Sequence, residues 1–164
     1  MKSHYNVLFI CTGNSARSII AEALLNHVGN GRFKAFSAGS QPTGTVNPYA
    51  LQVLQDNKVD TEGLRSKHWN EFAAPEASRM DLVFTVCAKA AGEHCPLWAD
   101  HPMHADWSVE DPAVINGSEE QIKKAFQDTL IMLKRRIDLL IMLPVEKIDA
   151  MALRNNLSDI GNKI

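Results

Sequence analysis

Apolar residues in this chain form two kinds of pattern, which predict strands alternating with helices. Short, largely apolar runs at residues 5–10, 33–38 and 82–86 are typical of buried strands, and residues 104–107 suggest a short fourth one. Between these runs, apolar positions recur at the spacing of an amphipathic helix. Strands that alternate with helices favour an α/β fold whose parallel strands are joined by right-handed crossovers.

The longer helices are predicted from this spacing and from the residues at their ends. The first two cover residues 16–28, which Gly29 closes, and residues 48–57. Ser118 and Gln121 form a capping box that opens a long helix, and Pro144 ends it. A last amphipathic helix is predicted at about residues 145–160, and shorter helical turns are expected within residues 60–72 and at 75–79.

Length and composition set limits on the class of protein. A chain of 164 residues can bury a core of its own, so residues 1–164 are expected to form a single domain with an extra C-terminal helix. A formal net charge of −2 with 22% charged residues gives no sign of a nucleic acid or membrane partner. No signal peptide or spanning run is visible, so we expect a cytoplasmic protein. In that reducing compartment, three cysteines indicate catalysis or metal binding before a structural disulfide.

The segment from Cys11 to Ser18 has the most specific chemistry in the sequence. Cys11 directly follows the first predicted strand, Arg17 comes after five intervening residues, and a predicted helix begins at once. Backbone N–H groups of such a loop favour negative charge, and the guanidinium of Arg17 can bind two oxygens together. The same positive field favours the thiolate of Cys11 and makes it a nucleophile. The predicted oxyanion-binding residues are Thr12, Gly13, Asn14, Ser15, Ala16, Arg17 and Ser18.

Two further cysteines indicate what such a nucleophile could be used for. Cys87 ends the predicted third strand, and since the ends of parallel strands meet at one edge of a sheet, it can lie near Cys11. Cys95 follows eight residues later, in a segment with Gly92 and Pro96 that can loosen and bring it to Cys87. The three thiols could therefore form a disulfide relay; the alternative is that the later two are ordinary free cysteines.

Histidines near these cysteines raise a metal-binding alternative. His94, His101 and His104 lie close to Cys87 and Cys95 in the sequence. Their spacing does not match the paired ligands of a structural zinc site. No metal site is therefore expected.

Displacement at an oxyanion also needs a proton donor for the leaving oxygen, and Asp111 is the candidate. It lies after the predicted fourth strand, where Pro112 biases its backbone to an extended conformation that can project the carboxyl over the site. The alternative is a plain turn aspartate. Ser18 can donate a hydrogen bond to the Cys11 thiolate or serve only as a local cap. Asn14 tolerates the left-handed backbone that a tight loop often needs, and its alternative is a solvated loop asparagine.

These motifs resemble those of the low-molecular-weight protein tyrosine phosphatase superfamily. The matching residues are 11–18, 20–23, 37–39 and 111–112, and the resemblance covers roughly residues 5–140. With Cys87 and Cys95 added, the chain is similar to the three-cysteine arsenate reductases of that superfamily. The resemblance implies a four-stranded parallel sheet flanked by helices.

The resemblance also implies a role for each motif residue. Cys11 would attack arsenate, Arg17 and the loop amides would hold its oxygens, and Asp111 would protonate the departing oxygen. Cys87 would then attack Cys11 and release arsenite, and Cys95 would carry the oxidation outward as a Cys87–Cys95 disulfide. The implied reductant is thioredoxin or a glutathione/glutaredoxin system, with no bound cofactor, and the implied function is arsenic detoxification.

Three departures from the family pattern bear on this interpretation. Ala113 and Val114 follow the Asp-Pro pair where the phosphatases have aromatic residues that help bind phosphotyrosine. Ala16 stands where many relatives have a second loop cysteine, so no disulfide can form within the loop. The Val145–Ile164 end extends beyond the shorter members.

The resemblance also raises a monovalent cation site. Some thioredoxin-linked relatives bind potassium through residues that match Asn14, Glu22 and Ser37, together with an aspartate. That aspartate is matched here by Asn70. The sequence therefore puts a cation near these residues in doubt.

Two other functions stay open at this point. One is a low-molecular-weight phosphatase that uses Cys11, Arg17 and Asp111 without the later cysteines, and Cys87 and Cys95 argue against it. The other is a non-catalytic regulator that binds an oxyanion or arsenic, and the intact nucleophile, arginine and aspartate argue against that.

Overall fold

The computed structural model describes residues 4–74, 77, 79–87, 103–145 and 150–162. Its elements, in chain order, are β1 (Tyr5–Ile10), α1 (Arg17–Val28), β2 (Phe33–Ala38), α2 (Pro48–Asp56), β3 (Leu82–Thr85), β4 (Met103–Asp106), α3 (Glu119–Met142) and α4 (Ala150–Gly161). Short 3₁₀ helices lie at Trp69–Phe72 and Pro112–Val114. The predicted alternation of strands and helices is confirmed.

Differences from the predicted bounds are confined to element ends. β3 ends one residue earlier than predicted, and β4 begins and ends one residue earlier. The last helix is described from residue 150 rather than 145. Residues 146–149 and most of the predicted turn at 75–79 lie outside the described residues.

All four strands belong to one parallel sheet in the order β2-β1-β3-β4. Strand β1 is central, and its last four residues have no exposed surface. Ile10 pairs with Ala38 of β2 and with Thr85 of β3, so these strands end at the same level. This register brings the residues that follow the three strands to a single edge of the sheet.

An aromatic stack forms much of the core between β1, β3 and the residue after β4. The rings of Phe84 and Trp107 stack with centroids 3.8 Å apart, and Phe9 lies 5.7 Å from Phe84. All three side chains are fully buried. Large buried rings of this kind contribute strongly to stability because they remove much apolar surface from water.

The C-terminal helix α4 is fastened to the end of β4 by two buried side chains. Trp107 donates its indole N–H to the carbonyl of Leu157 at 2.9 Å. Arg136 of α3 donates to the carbonyls of Trp107 at 2.8 Å and of Gly161 at 3.3 Å. A Cβ at Gly161 would overlap the carbonyl oxygen of Asp106, so only glycine allows this close approach. The strand end that leads towards Asp111 is therefore held by the last helix.

Within the described ranges, no helix is both long enough and apolar enough to cross a membrane.

Candidate active site

The loop after β1 is held with its carbonyl groups turned outward. The carbonyls of Thr12, Gly13 and Ser15 accept hydrogen bonds at 2.9–3.0 Å from backbone amides within residues 41–47. A trans peptide directs its N–H opposite to its C=O. The N–H groups of the same peptides therefore face the interior of the loop, where they favour an anion.

Two backbone features make this tight loop possible. Asn14 has a φ of 44°, in the left-handed region, as predicted, and is fully buried. Gly39, after β2, lies so close to the loop that a Cβ there would be 2.7 Å from the carbonyl oxygen of Cys11 and would overlap that of Thr12. Glycine at position 39 is therefore a requirement of the loop.

Cys11 lies at the base of this loop, 3% exposed, with the hydroxyl of Ser18 2.9 Å from its sulfur. Asn14 donates its side-chain amide to the oxygen of Ser18 at 2.8 Å. Because that oxygen accepts from Asn14, the hydroxyl hydrogen of Ser18 is free to point at the sulfur of Cys11. This arrangement lets Ser18 donate a hydrogen bond to the sulfur of Cys11.

The positive end of α1 is left open towards the loop. Ala16 is the N-cap residue, and its side chain has no oxygen that could bond the first amides of the helix. No acidic residue lies in the first turn. The field of the helix N-terminus is therefore available to a bound anion.

Arg17 and Asp111 come together at the mouth of the loop. One guanidinium nitrogen of Arg17 donates to the carbonyl of Val109 at 3.1 Å, and the other lies 3.5 Å from a carboxylate oxygen of Asp111. The second oxygen of Asp111 accepts from the amide of Ala113 at 2.9 Å, and the Asp111 backbone is extended, as predicted. The carboxyl thus faces the site. Both side chains border a groove of about 750 Å³ that leads to solvent.

Cys87 follows β3 and lies against the same loop. Its sulfur accepts a hydrogen bond from the amide of Thr12 at 3.3 Å and lies 3.6 Å from the hydroxyl of Thr12. Cys87 is 2% exposed, and no disulfide joins it to Cys11. The peptide that joins Cys11 to Thr12 thus lies beside the second thiol, as the strand register predicts.

Several sequence candidates cannot be placed. Cys95, His94 and His101 lie outside the described residues, so the structure neither brings them to the loop nor separates them from it. His104 is exposed on β4. Among the residues that are described, no group of three or more His, Cys, Asp or Glu side chains is arranged to hold a metal.

The candidate cation site contains a lysine that the sequence interpretation missed. The ammonium of Lys67 lies 3.7 Å from Glu22 and 3.4 Å from the hydroxyl of Ser37, while its backbone N–H donates to the side chain of Asn14 at 2.8 Å. Asn70, matched to the family aspartate, is instead exposed on the 3₁₀ helix. These residues do not fit a bound cation, since a positive group already lies among them.

Burial opposes charge on both members of this pair. It raises the pKa of Glu22, an effect partly offset by the hydrogen bond from Ser37 and by the charge of Lys67. It lowers the pKa of Lys67, an effect partly offset by the charge of Glu22. No motif marks Lys67 in the sequence, because it lies in a polar stretch that predicts only a loop.

A buried cysteine after the central strand, with inward-facing loop amides and an arginine at the start of the next helix, defines an α/β protein whose site is suited to hold an oxyanion beside a thiol. The chain belongs to the low molecular weight phosphotyrosine protein phosphatase family, whose model matches residues 6–152. Most of α4 lies beyond that match.

Proteins similar to this chain include several arsenate reductases. The chain is 33% identical to an arsenate reductase of Bacillus licheniformis over 127 residues, which are 76% of this chain and 86% of the relative. A solved arsenate reductase in the phosphate binding state is similar with a TM-score of 0.69 and 27% identity, covering 84% of this chain and 96% of that one. A thioredoxin-dependent arsenate reductase of Corynebacterium glutamicum is similar with a TM-score of 0.57 and 26% identity, covering 85% and 64%.

Proposed function

We propose that this protein is an arsenate reductase in which Cys11 is the nucleophile and Cys87 and Cys95 pass on the oxidation. The observation that carries the proposal is the sulfur of Cys87, 3.3 Å from the amide of Thr12 and so beside the nucleophile's own peptide. Phosphate-ester hydrolysis has no use for a second thiol at this place, whereas reduction of arsenate must take two electrons from sulfur. The similarity to named arsenate reductases supports the same conclusion.

The first step is displacement of oxygen from arsenate. The thiolate of Cys11 forms a sulfur–arsenic bond, and one arsenic–oxygen bond breaks. The inward-facing amides and Arg17 bind the remaining oxygens. Asp111 gives its proton to the departing oxygen, which leaves as water. The negative charge of the oxyanion draws the guanidinium of Arg17 away from Asp111, which frees the carboxyl to face the departing oxygen.

The second step is the reduction itself. The thiolate of Cys87 attacks the sulfur of Cys11, the sulfur–arsenic bond breaks, and its electron pair stays on arsenic, which leaves as arsenite. A Cys11–Cys87 disulfide results. The thiolate of Cys95 then attacks the sulfur of Cys87, which frees Cys11 and forms a Cys87–Cys95 disulfide.

An external dithiol completes the cycle by reducing the Cys87–Cys95 disulfide. Thioredoxin is the proposed reductant, and the thioredoxin-dependent relative supports it; a glutathione/glutaredoxin system is the alternative.

We further propose that residues 1–164 act as a single catalytic domain, since α4 is hydrogen-bonded to the end of β4 that leads towards Asp111.

Hydrolysis of a phosphate ester is the second candidate, because the family model itself describes phosphatases. The two activities differ in their use of thiols. A phosphatase needs Cys11, Arg17 and Asp111 and ends with water attacking the Cys11 adduct. A phosphatase would therefore still turn over its substrate in variants that lack Cys87 and Cys95.

Cysteine variants test the proposal directly. Arsenate turnover is measured with thioredoxin and thioredoxin reductase, and in parallel with glutathione and glutaredoxin. Cys87→Ser should abolish repeated turnover while any weak phosphatase activity remains. Cys95→Ser should allow about one turnover and trap a Cys11–Cys87 disulfide, because the thiol that resolves it is missing.

Mass mapping after one addition of arsenate identifies the trapped bond, and Cys11→Ser is the control that should form none. Repeated turnover by Cys95→Ser, or a trapped species without a Cys11–Cys87 bond, would show that the relay is wrong. A wild-type protein that hydrolyses phosphate esters but never reduces arsenate would favour the phosphatase.

A further inference from the structure

Lys67 is a buried lysine that neither step of the proposed reaction uses. Its side chain is 6% exposed, and its ammonium donates to the carbonyl of Arg65 at 2.8 Å. The carboxylate of Glu22, 14% exposed, lies 3.7 Å away and accepts a hydrogen bond from Ser37 at 2.5 Å. Placing a charged ammonium here costs desolvation, which the nearby carboxylate and oxygens offset.

The backbone N–H of Lys67 is connected to Cys11 by hydrogen bonds through the side chains of Asn14 and Ser18. Its N–H donates to the side-chain oxygen of Asn14 at 2.8 Å, which fixes the orientation of that amide. The nitrogen of the same amide then donates to Ser18 at 2.8 Å, and Ser18 lies 2.9 Å from the sulfur of Cys11. If the Asn14 amide were turned over, Ser18 would have to donate to Asn14 and would be lost to Cys11.

The segment around Lys67 also supports the loop from outside. The amide of Gly39 donates to the carbonyl of Lys67 at 3.0 Å, and the hydroxyl of Ser66 donates to the carbonyl of Gly13 at 3.3 Å. The hydrogen bond from the Lys67 ammonium to the carbonyl of Arg65 lies within this same segment, residues 65–67. The position of the Lys67 ammonium thus sets the position of the residues that touch the loop.

We propose that the Lys67 ammonium is the built-in cation of this site: it replaces a bound monovalent cation and orients Asn14 and Ser18 on Cys11. Lys67 is a positioning residue, because it acts through Asn14 and touches no reacting atom. The proposal rests on Cys11 being the nucleophile of the proposed function. Among the described residues, Glu22 is the carboxylate in ion-pair contact with the ammonium, and it balances one positive charge, while Glu71, whose charge also acts on Lys67, is paired with Arg65. A second cation is therefore disfavoured, and the protein should be indifferent to the identity of monovalent cations.

The first test uses the wild-type protein alone. Thermal unfolding and the rate of Cys11 alkylation by iodoacetamide are measured in the chlorides of potassium, sodium and tetramethylammonium at equal ionic strength. Both quantities should be the same in the three salts. A higher unfolding midpoint or faster alkylation in potassium would overturn the proposal, and this holds whether or not any variant folds.

The second test removes the ammonium. In Lys67→Met, Cys11 should be alkylated about 3- to 10-fold more slowly at neutral pH, an effect in the lower part of the range for residues coupled through one hydrogen-bond network. Lys67→Ala also leaves an empty volume where the lysine side chain was. In this variant, potassium chloride should restore the rate of Cys11 alkylation, and tetramethylammonium chloride should not. Lys124→Met is the matched control, since Lys124 is an exposed lysine paired with Asp128, and it should behave as wild type.

Wild-type alkylation in Lys67→Met, or no response of Lys67→Ala to potassium, would contradict the positioning role. None of these measurements needs arsenate turnover. Failure of the arsenate reductase proposal and failure of the Lys67 proposal are therefore seen in separate experiments.

Discussion

The guanidinium of Arg17 and the carboxylate of Asp111 lie 3.5 Å apart across the mouth of the oxyanion loop. An arriving oxyanion competes with Asp111 for the same guanidinium. Binding of the anion therefore weakens the contact between Arg17 and Asp111. Oxyanion binding and the position of the Asp111 carboxyl should therefore be linked through Arg17, and the first two predictions concern these two residues.

Arg17→Lys should lower arsenate turnover by about 10²-fold or more, because a single ammonium cannot bind two oxygens as a planar guanidinium does. The measurements are steady-state turnover and phosphate binding by calorimetry. Arg65→Lys is the control, since Arg65 also makes a two-nitrogen contact with a carboxylate, that of Glu71, but at the surface. Near wild-type kinetics for Arg17→Lys would exclude two-oxygen binding.

Asp111→Asn should lower the single-turnover rate of arsenate reduction by about 10²–10⁴-fold, since an amide N–H is too weakly acidic to protonate the leaving oxygen. Phosphate binding should be retained, because Arg17 and the loop are intact. The rate is followed by rapid quench and arsenite detection, with Asp138→Asn, a carboxylate of α3 paired with Lys134 away from the groove, as control. An unchanged rate would return Asp111 to the role of a turn residue.

Ser18→Ala should slow alkylation of Cys11 at neutral pH by about tenfold, because a hydrogen bond to a charged sulfur is lost. The rate of iodoacetamide reaction is measured against pH. Ser118→Ala is a useful comparison: it removes the cap of α3 and should cost about 1 kcal/mol of stability without affecting the alkylation. Equal alkylation rates in Ser18→Ala and wild type would limit Ser18 to packing.

Gly39→Ala should weaken phosphate binding and lower the unfolding midpoint, because its Cβ would overlap the carbonyls of Cys11 and Thr12 and displace the loop. Gly63→Ala is the control. Gly63 has a φ of +81° with no atom near a new Cβ, so the substitution strains the backbone but leaves the loop alone. If both variants bind phosphate like wild type, the close approach at Gly39 does not control the loop.

Arg136→Met should lower the free energy of unfolding by about 1–3 kcal/mol, because the buried carbonyl of Trp107 and the half-buried carbonyl of Gly161 lose their donor. Urea unfolding measures this, and the neighbouring exposed Arg135→Met is the control. The variant should also reduce arsenate more slowly, since the segment that carries Asp111 is no longer tied to α4. Unchanged stability would mean that water replaces the guanidinium.

Most of the secondary structure could be predicted from the sequence, because local patterns contain the necessary signals. The continuous apolar end of β1 marks a strand buried on both faces, and the Ser118–Gln121 capping box marks the start of α3; both are confirmed. The left-handed backbone of Asn14 was also predictable, since few residue types tolerate it.

The sequence by itself therefore determined the α/β class, the oxyanion loop and the candidate nucleophile, because strand, loop and helix are contiguous there. Only the tertiary structure decided that Lys67 lies beside Glu22 and Ser37, and that Arg136 joins α3 to both β4 and α4. These contacts link segments that are distant in the chain. A buried lysine or arginine has no local sequence signature, because its burial depends on which carboxylates and carbonyls the fold brings around it.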